Sequence, residues 1–380
     1  MNIVKKILPT YLPLLSVAPS EINALSELPE KDKDMMLPYF PLKGWLGSKK
    51  LENTPNKIGD IFKNREWIAD IDYDFLRNNK ILKKLLVDGK YPREVYEEVL
   101  KISLSNNGYE NWIEYCESQA YIIPCIQLDV ISELKEQCTR FNETNKKLAL
   151  RLKVNEMKHS EIVSILEIVC STLKNQLFII IDLGQVSNKD INKTDQIATV
   201  VNTIIEACHQ KTNCYFSLSG TSFPSSFSGI SEGESSINER TIYNKVSRKS
   251  ISHLIYSDYA SVSTRKAGGA SRLPPPRIDY PRKNEWKHLR KDFDDVDSAT
   301  KEDKHKIYSD LAKALIKKDY WDSKLLVWGT QQIEKTAAGD NYGITDAQKA
   351  TAARINIHLF QQLHYQDVID DIDTDDDWVD

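Results

Sequence analysis

LALRLKVNEMKHSEIVSILEIVCSTLKNQLFIIIDL, residues 148–183, reads as a strand, a helix and a second strand. The runs 148–154 and 177–183 are apolar almost throughout, as a strand must be when both of its faces are covered. Between them, residues 160–173 carry their apolar side chains at helical spacing. A strand, a helix and a further covered strand make the repeating unit of a parallel sheet with helices packed outside it.

The same alternation recurs in both directions. Towards the N-terminus, apolar runs at 11–15, 35–42, 67–72 and 121–129 are separated by segments of helical character at 20–28, 92–118 and 130–141. In the first of these helices Ser20 is placed to cap, and Ile22, Leu25 and Leu28 share a face. Towards the C-terminus, a helix at 194–209 precedes a run at 214–218. A Ser-rich stretch at 219–250, helical only after about residue 235, precedes the run 253–258. Eight runs separated mostly by helices fit a (β/α)8 TIM-barrel-like core over residues 1–291, although an open doubly wound sheet predicts a similar alternation. Beyond residue 291 the pattern changes: a helix at 304–318, a short strand at 325–329 and a final helix at 351–364 read as a C-terminal elaboration, residues 292–366, packed on the barrel. Residues 367–380, DVIDDIDTDDDWVD, form an acidic tail whose like charges keep it extended. Its interleaved apolar residues would also suit docking onto a basic groove.

Composition narrows the function classes. A net charge of −4, from 51 basic and 55 acidic residues among 380, argues against a surface that attracts nucleic acid as a whole. The six cysteines at 116, 125, 138, 170, 208 and 214 form no CxxC pair and sit largely in apolar runs, as in a reduced cytoplasmic protein. The opening MNIVKKILPTYLPLL lacks a small-residue cleavage site and is broken by Pro9 and Pro13, so it reads as a first strand rather than a signal peptide. No apolar run reaches the ~20 residues of a membrane-spanning helix.

Side chains alternate along a strand, so parity assigns them to faces. Ala149, Arg151 and Lys153 fall together, as do Asp70 with Asp72, Cys125 with Gln127 and Asp129, and Phe178 with Ile180 and Asp182. Asp72, Asp129, Asp182 and Asp258 end four of the runs. In a barrel such strand ends converge on the face where ligands bind. The expectation is a polar mouth in which these four acids meet Arg151, Lys153 and Lys43, either to hold a divalent metal and a phosphate or carboxylate, or as a network of ion pairs at the top of the core. No cofactor is specified by the residues. Arg354 and His358, four apart, share a helical face. Ser217 and Ser219 lack the GxSxG setting of a nucleophile elbow, and no Walker loop, GxGxxG or HExxH occurs.

Residues 251–291 deliver Ser257, Asp258 and Tyr259 to a strand end, then cross a Gly/Pro-rich loop bearing Arg265, Lys266 and Arg272 and resume at Arg277-Ile278-Asp279-Tyr280, with Arg282 beyond. An acid and a phenol at a strand end beside so many cations read as one wall of a binding site.

These motifs resemble those of the beta family, named for the beta protein of a satellite bacteriophage. The likeness lies in the opening YLPLL followed by Glu21 and Ala24-Leu25, then LFIIIDLG, Ser257-Asp258-Tyr259, PPPRIDYPRKNEWKHLR, and LVWG followed by AARINIHL, in that order over nearly the whole chain. The resemblance implies a barrel-like domain acting in bacterial conflict, in phage-defence modules or in toxin systems where a beta-like protein restrains a killing partner. It would place polar functional positions at Asp182, Asp258, Tyr259, Arg277, Tyr280, Trp286, Trp328, Asn356 and His358. The chain departs from the family pattern at Ile357-His358, where paired histidines are expected, and at Thr330, where an acid is. Two functions are carried forward. The first is a cytoplasmic binding or regulatory component whose mouth recognises a protein partner from the same module or a phosphorylated ligand, with no membrane partner and with nucleic acid not favoured. The second is a metal-dependent phosphodiester hydrolase using the strand-end carboxylates.

Overall fold

A computed structural model of the chain describes residues 8–78, 93–208, 213–264, 275–294 and 300–368. Each of the eight apolar runs contains a strand: β1 (Tyr11–Pro13), β2 (Tyr39–Leu42), β3 (Trp67–Ile71), β4 (Ile122–Pro124), β5 (Leu148–Lys153), β6 (Leu177–Gln185), β7 (Cys214–Thr221) and, after a further short strand β8 (Glu232–Ser236), β9 (Leu254–Asp258). Their pairing is parallel throughout, in one sheet of order β1-β9-β7-β6-β5 and a second of order β2-β3-β4. One continuous eight-stranded sheet, the expectation from the sequence, does not form. The two parallel sheets meet through single bridges instead, Tyr11 to Met36 and Leu14 to Tyr39 on one side and Cys125 to Ala149 on the other.

Parity holds along the strands. Leu148, Leu150 and Leu152 belong to the large core under the helices, whereas Ala149 joins Leu12, Leu14, Tyr39, Ile68, Ile123, Cys125, Phe178, Ile180 and Ile255 in a separate buried cluster drawn from both parallel sheets. Strands so clad on both sides account for runs without polar alternation.

Past β9 the chain adds β10 (Arg277–Pro281) and β11 (Glu285–Arg290), which form an antiparallel sheet of order β10-β11-β8. Three helices follow, Lys301–Leu315, Trp328–Ala338 and Ala347–Leu363, and the last packs on β10 and on the helix Pro19–Ser26. The strand expected at 325–329 is absent. Its place is taken by the start of the helix at Trp328, where the Thr330 hydroxyl accepts from the Val327 amide at 3.1 Å and donates to the Leu325 carbonyl at 2.5 Å. A five-residue apolar run cannot by its pattern distinguish a strand from a helix entry, and here the threonine side chain decides. Among the described residues no helix is long and apolar enough to cross a membrane. The cations Arg265, Lys266 and Arg272, and residues 369–380 of the acidic tail, lie outside the described residues.

Candidate functional site

A cleft of about 390 Å³ opens at the carboxyl ends of β2–β5. Its centre is Arg151, raised from β5 on the same face as Ala149 and Lys153. Nε and Nη2 donate to Asp182 Oδ2 at 2.9 and 2.7 Å, Nη1 donates to the Tyr39 hydroxyl at 2.9 Å, and Nη2 also donates to the Tyr259 hydroxyl at 2.8 Å. The guanidinium lies 4.9 Å from the centre of the Tyr39 ring and 5.7 Å from that of Tyr259. Burial would weaken the charge on Arg151, but Tyr39, Asp182 and Tyr259 outweigh it and hold the group firmly protonated.

The phenols extend the network. Tyr39 donates to Asp70 Oδ2 at 2.5 Å and Tyr259 to Asp182 Oδ2 at 2.8 Å, and Gln127 donates to Asp70 Oδ1 at 2.9 Å. Gly184 fixes the other oxygen of Asp182 through its amide at 2.8 Å. Burial drives both phenols far above their ordinary range, so they remain neutral donors.

The acids at the rim are matched with cations. Lys43 Nζ stands 3.6 Å from Asp72 Oδ2, and Arg77 pairs with Asp129. Asp72 also caps the next turn by accepting from the Phe75 amide at 2.8 Å. Even so, carboxylates predominate in the lining: Glu21, Asp70, Asp72, Asp74, Asp129, Glu156 and Glu161 against Arg77, Arg151 and Lys153. Glu21 sits buried at the inner end, where burial pushes its carboxyl up to about 7 against the pull of Lys43.

The structure therefore brings Asp72, Asp129, Arg151, Lys153 and Tyr259 to one cleft, with Lys43 at its edge and Asp182 directly behind Arg151. Asp258 is not at this opening, contrary to expectation. In β9 it is Ile255 that faces the inner cluster, so Tyr256 and Asp258 point to the opposite side. There Asp258, fully buried, accepts from the hydroxyls of Tyr11 at 2.5 Å and Tyr256 at 2.8 Å and from the Ala260 amide at 2.8 Å, and pairs with His358 Nε2 at 2.7 Å. Burial raises its carboxyl, but His358, Tyr11 and Ala260 more than compensate and hold it below the usual value. His358 is likewise buried, stacked 5.8 Å from Trp286, and thus belongs to the core beneath the final helix rather than to the cleft.

Arg277 and Arg282 are also elsewhere. Arg277 pairs with Asp279 and lies 3.5 Å over the Phe227 ring, while Arg282 makes an exposed pair with Glu285 at 3.0 Å. Of the positions that the family likeness implied, Asn356 accepts from the Gly329 amide at 2.9 Å and donates to the Ala24 carbonyl at 3.0 Å, joining three helices. The Tyr280 hydroxyl is engaged by the Asp322 amide, and Trp328 opens its helix. Tyr39, Glu21 and Arg77 were not among the site residues expected from the sequence. Glu21 carried a signal as part of the family likeness, and Tyr39 as a phenol within the second apolar run. Among the described residues, no group of three or more His, Cys, Asp or Glu side chains is placed to hold a metal ion.

Fold and site together define an α/β protein with a polar cleft at the carboxyl ends of parallel strands, centred on an arginine clamped by two phenols and an aspartate. The profile of the Beta protein family matches residues 11–364, so the chain belongs to that family. It is similar to Protein beta of Enterobacteria phage P4, 23% identical over 369 residues that cover 95% of this chain and 94% of the phage protein. No solved structure matches it.

Proposed function

We propose that this protein is a binding or regulatory component of a bacterial phage-defence or toxin module, and that the cleft around Arg151 receives a basic segment of a partner protein. Family membership and likeness to a phage protein support the setting. The cleft chemistry supports the mode. Its carboxylates outnumber its cations, and the strongest cation is already neutralised by Asp182, which favours a cationic guest over a phosphorylated one. Asp72, Asp129 and Asp182 are each paired with a base, an arrangement suited to recognition rather than to metal-assisted hydrolysis.

This reading also takes the two seams of isolated bridges as closing the parallel strands into a (β/α)8 ring, of which the cleft is the mouth. Supporting it, the Leu15 amide donates to the Tyr39 carbonyl at 2.9 Å and the Ile126 amide to the Ala149 carbonyl at 2.7 Å.

Co-purification of the tagged full chain with the products of its neighbouring genes tests the mode. Asp129→Lys with Glu156→Lys should reduce capture at least about tenfold, the scale of losing two favourable charge contacts, while Arg282→Glu should leave it unchanged. Capture that survives the double reversal, or that inorganic phosphate competes away, would rule out the acidic mouth as the recognition surface.

A further inference from the structure

In the antiparallel sheet three side chains stand in the order in which serine hydrolases use them. His288 on β11 lies directly across the ladder from Asp279 on β10, and Ser235 on β8 is its diagonal neighbour. His288 Nδ1 is 2.8 Å from Asp279 Oδ1, and Nε2 is 2.6 Å from Ser235 Oγ.

The surroundings dictate the proton positions. Asp279 is buried, and Arg354 donates to its Oδ2 at 2.7 Å while Arg277 Nε donates to the same oxygen at 2.9 Å. A carboxylate held between two guanidinium groups stays ionised and can only accept. The neutral imidazole must then carry its proton on Nδ1, leaving the Nε2 lone pair to accept from Ser235 Oγ. That is the tautomer from which a base can take the serine proton. Phe227 meets the imidazole edge-on at 4.8 Å and restricts its rotation.

Access differs along the relay. His288 and Asp279 are 1% and 3% exposed, whereas Ser235 is partly exposed, on a strand that pairs on one side only among the described residues. Gly233, directly across from His288, places no side chain beside the hydroxyl.

We propose that Ser235, His288 and Asp279 form a second site that accepts the acyl group of carboxylic esters. It shares no residue with the lining of the cleft at Arg151 and does not rest on the reading of that cleft. Ser235 Oγ adds to the ester carbonyl carbon as its proton passes to His288 Nε2. The carbon–oxygen bond to the alcohol then breaks, and the departing oxygen takes that proton, leaving acyl-Ser235. Water, losing a proton to the same Nε2, attacks the acyl carbon, and the bond to Oγ breaks as Oγ regains the proton and the carboxylic acid leaves. Asp279 is a positioning residue that holds the tautomer and stabilises the imidazolium. The residues follow the chain order Ser, Asp, His, one of the orders in which such groups occur.

The test treats the purified full chain with a fluorophosphonate probe and follows hydrolysis of p-nitrophenyl acetate. The expected result is a phosphonyl adduct on the peptide containing Ser235, with label and hydrolysis both lost in Ser235→Ala. That substitution removes one partly exposed hydroxyl and leaves the buried residues intact. Asp279→Asn should slow labelling about a hundredfold or more and displace its pH profile. Absence of label from the folded protein, label on another serine, or equal labelling of Ser235→Ala overturns the proposal, as does an unmoved pH profile in folded Asp279→Asn.

Discussion

Glu239 shows how one buried group sets a pH response. Burial first, and then the neighbouring Asp258 charge, push its carboxyl up to about 8 despite the hydrogen bonding from Ser222. In the unfolded chain the same carboxyl titrates near 4.5. The folded state therefore keeps a proton that the unfolded state has lost, and stability falls as pH rises between those two values and levels off above the upper one. Glu21, raised to about 7, acts in the same direction over a narrower window. Glu239→Gln should be more stable than the parent at about pH 8.5, by about 2 kcal/mol or more, and equal to it near pH 4.5. Denaturant titrations at the two pH values check this, and identical pH dependence in variant and parent would contradict it.

At the scale of elements, the contact between the last two helices depends on the missing side chain of Gly329. A Cβ there would come within 2.4 Å of the Ala353 carbonyl oxygen and 2.6 Å of Ile357 Cγ1. Gly329→Ala should therefore destabilise the protein by about 1–3 kcal/mol, as other insertions into a packed interior do, and lower the thermal midpoint. A melt indistinguishable from the parent would mean that the helices separate without cost. The sequence reading took this stretch for a strand because Leu325, Leu326, Val327 and Trp328 are continuously apolar. It also passed over β8 and β11 entirely. Their residues EGESS and EWKHLR are rich in charge, and such strands are stabilised by their cross-strand partners rather than by a local pattern.

Across the whole molecule, the two seams between the parallel sheets decide whether the strands act as one body. The amides of Leu15 and Ile126 cross them. If the ring is closed, these amides should exchange with deuterium as slowly as those of Ile179 and Ile181 inside β6, because all would open only with the global transition. Fast exchange at either one would show that seam to be open. The C-terminal helices also bear on this body. His358 meets Asp258 of β9, Arg240 donates to Gln362 at 2.8 Å, and His364 meets Asp32 at 3.0 Å across 332 positions of sequence.

By itself the amino-acid order determined the eight parallel strands and most of the helices between them, since covered strands and amphipathic helices announce themselves through hydrophobic period. It also determined that Arg151 and Lys153 share a face, because alternation is a property of the extended backbone, whereas Gln127 and Asp129 lie past the end of β4, where that alternation no longer applies. Tertiary structure alone decided which side Asp258 takes. In β9 both faces are apolar, so parity groups the residues without saying which group looks inward. It alone also brought Ser235 to His288 and Asp279, residues 53 and 9 positions apart in the chain. Hydrogen bonds between strands made that meeting, and no periodicity within a segment encodes a partner so distant.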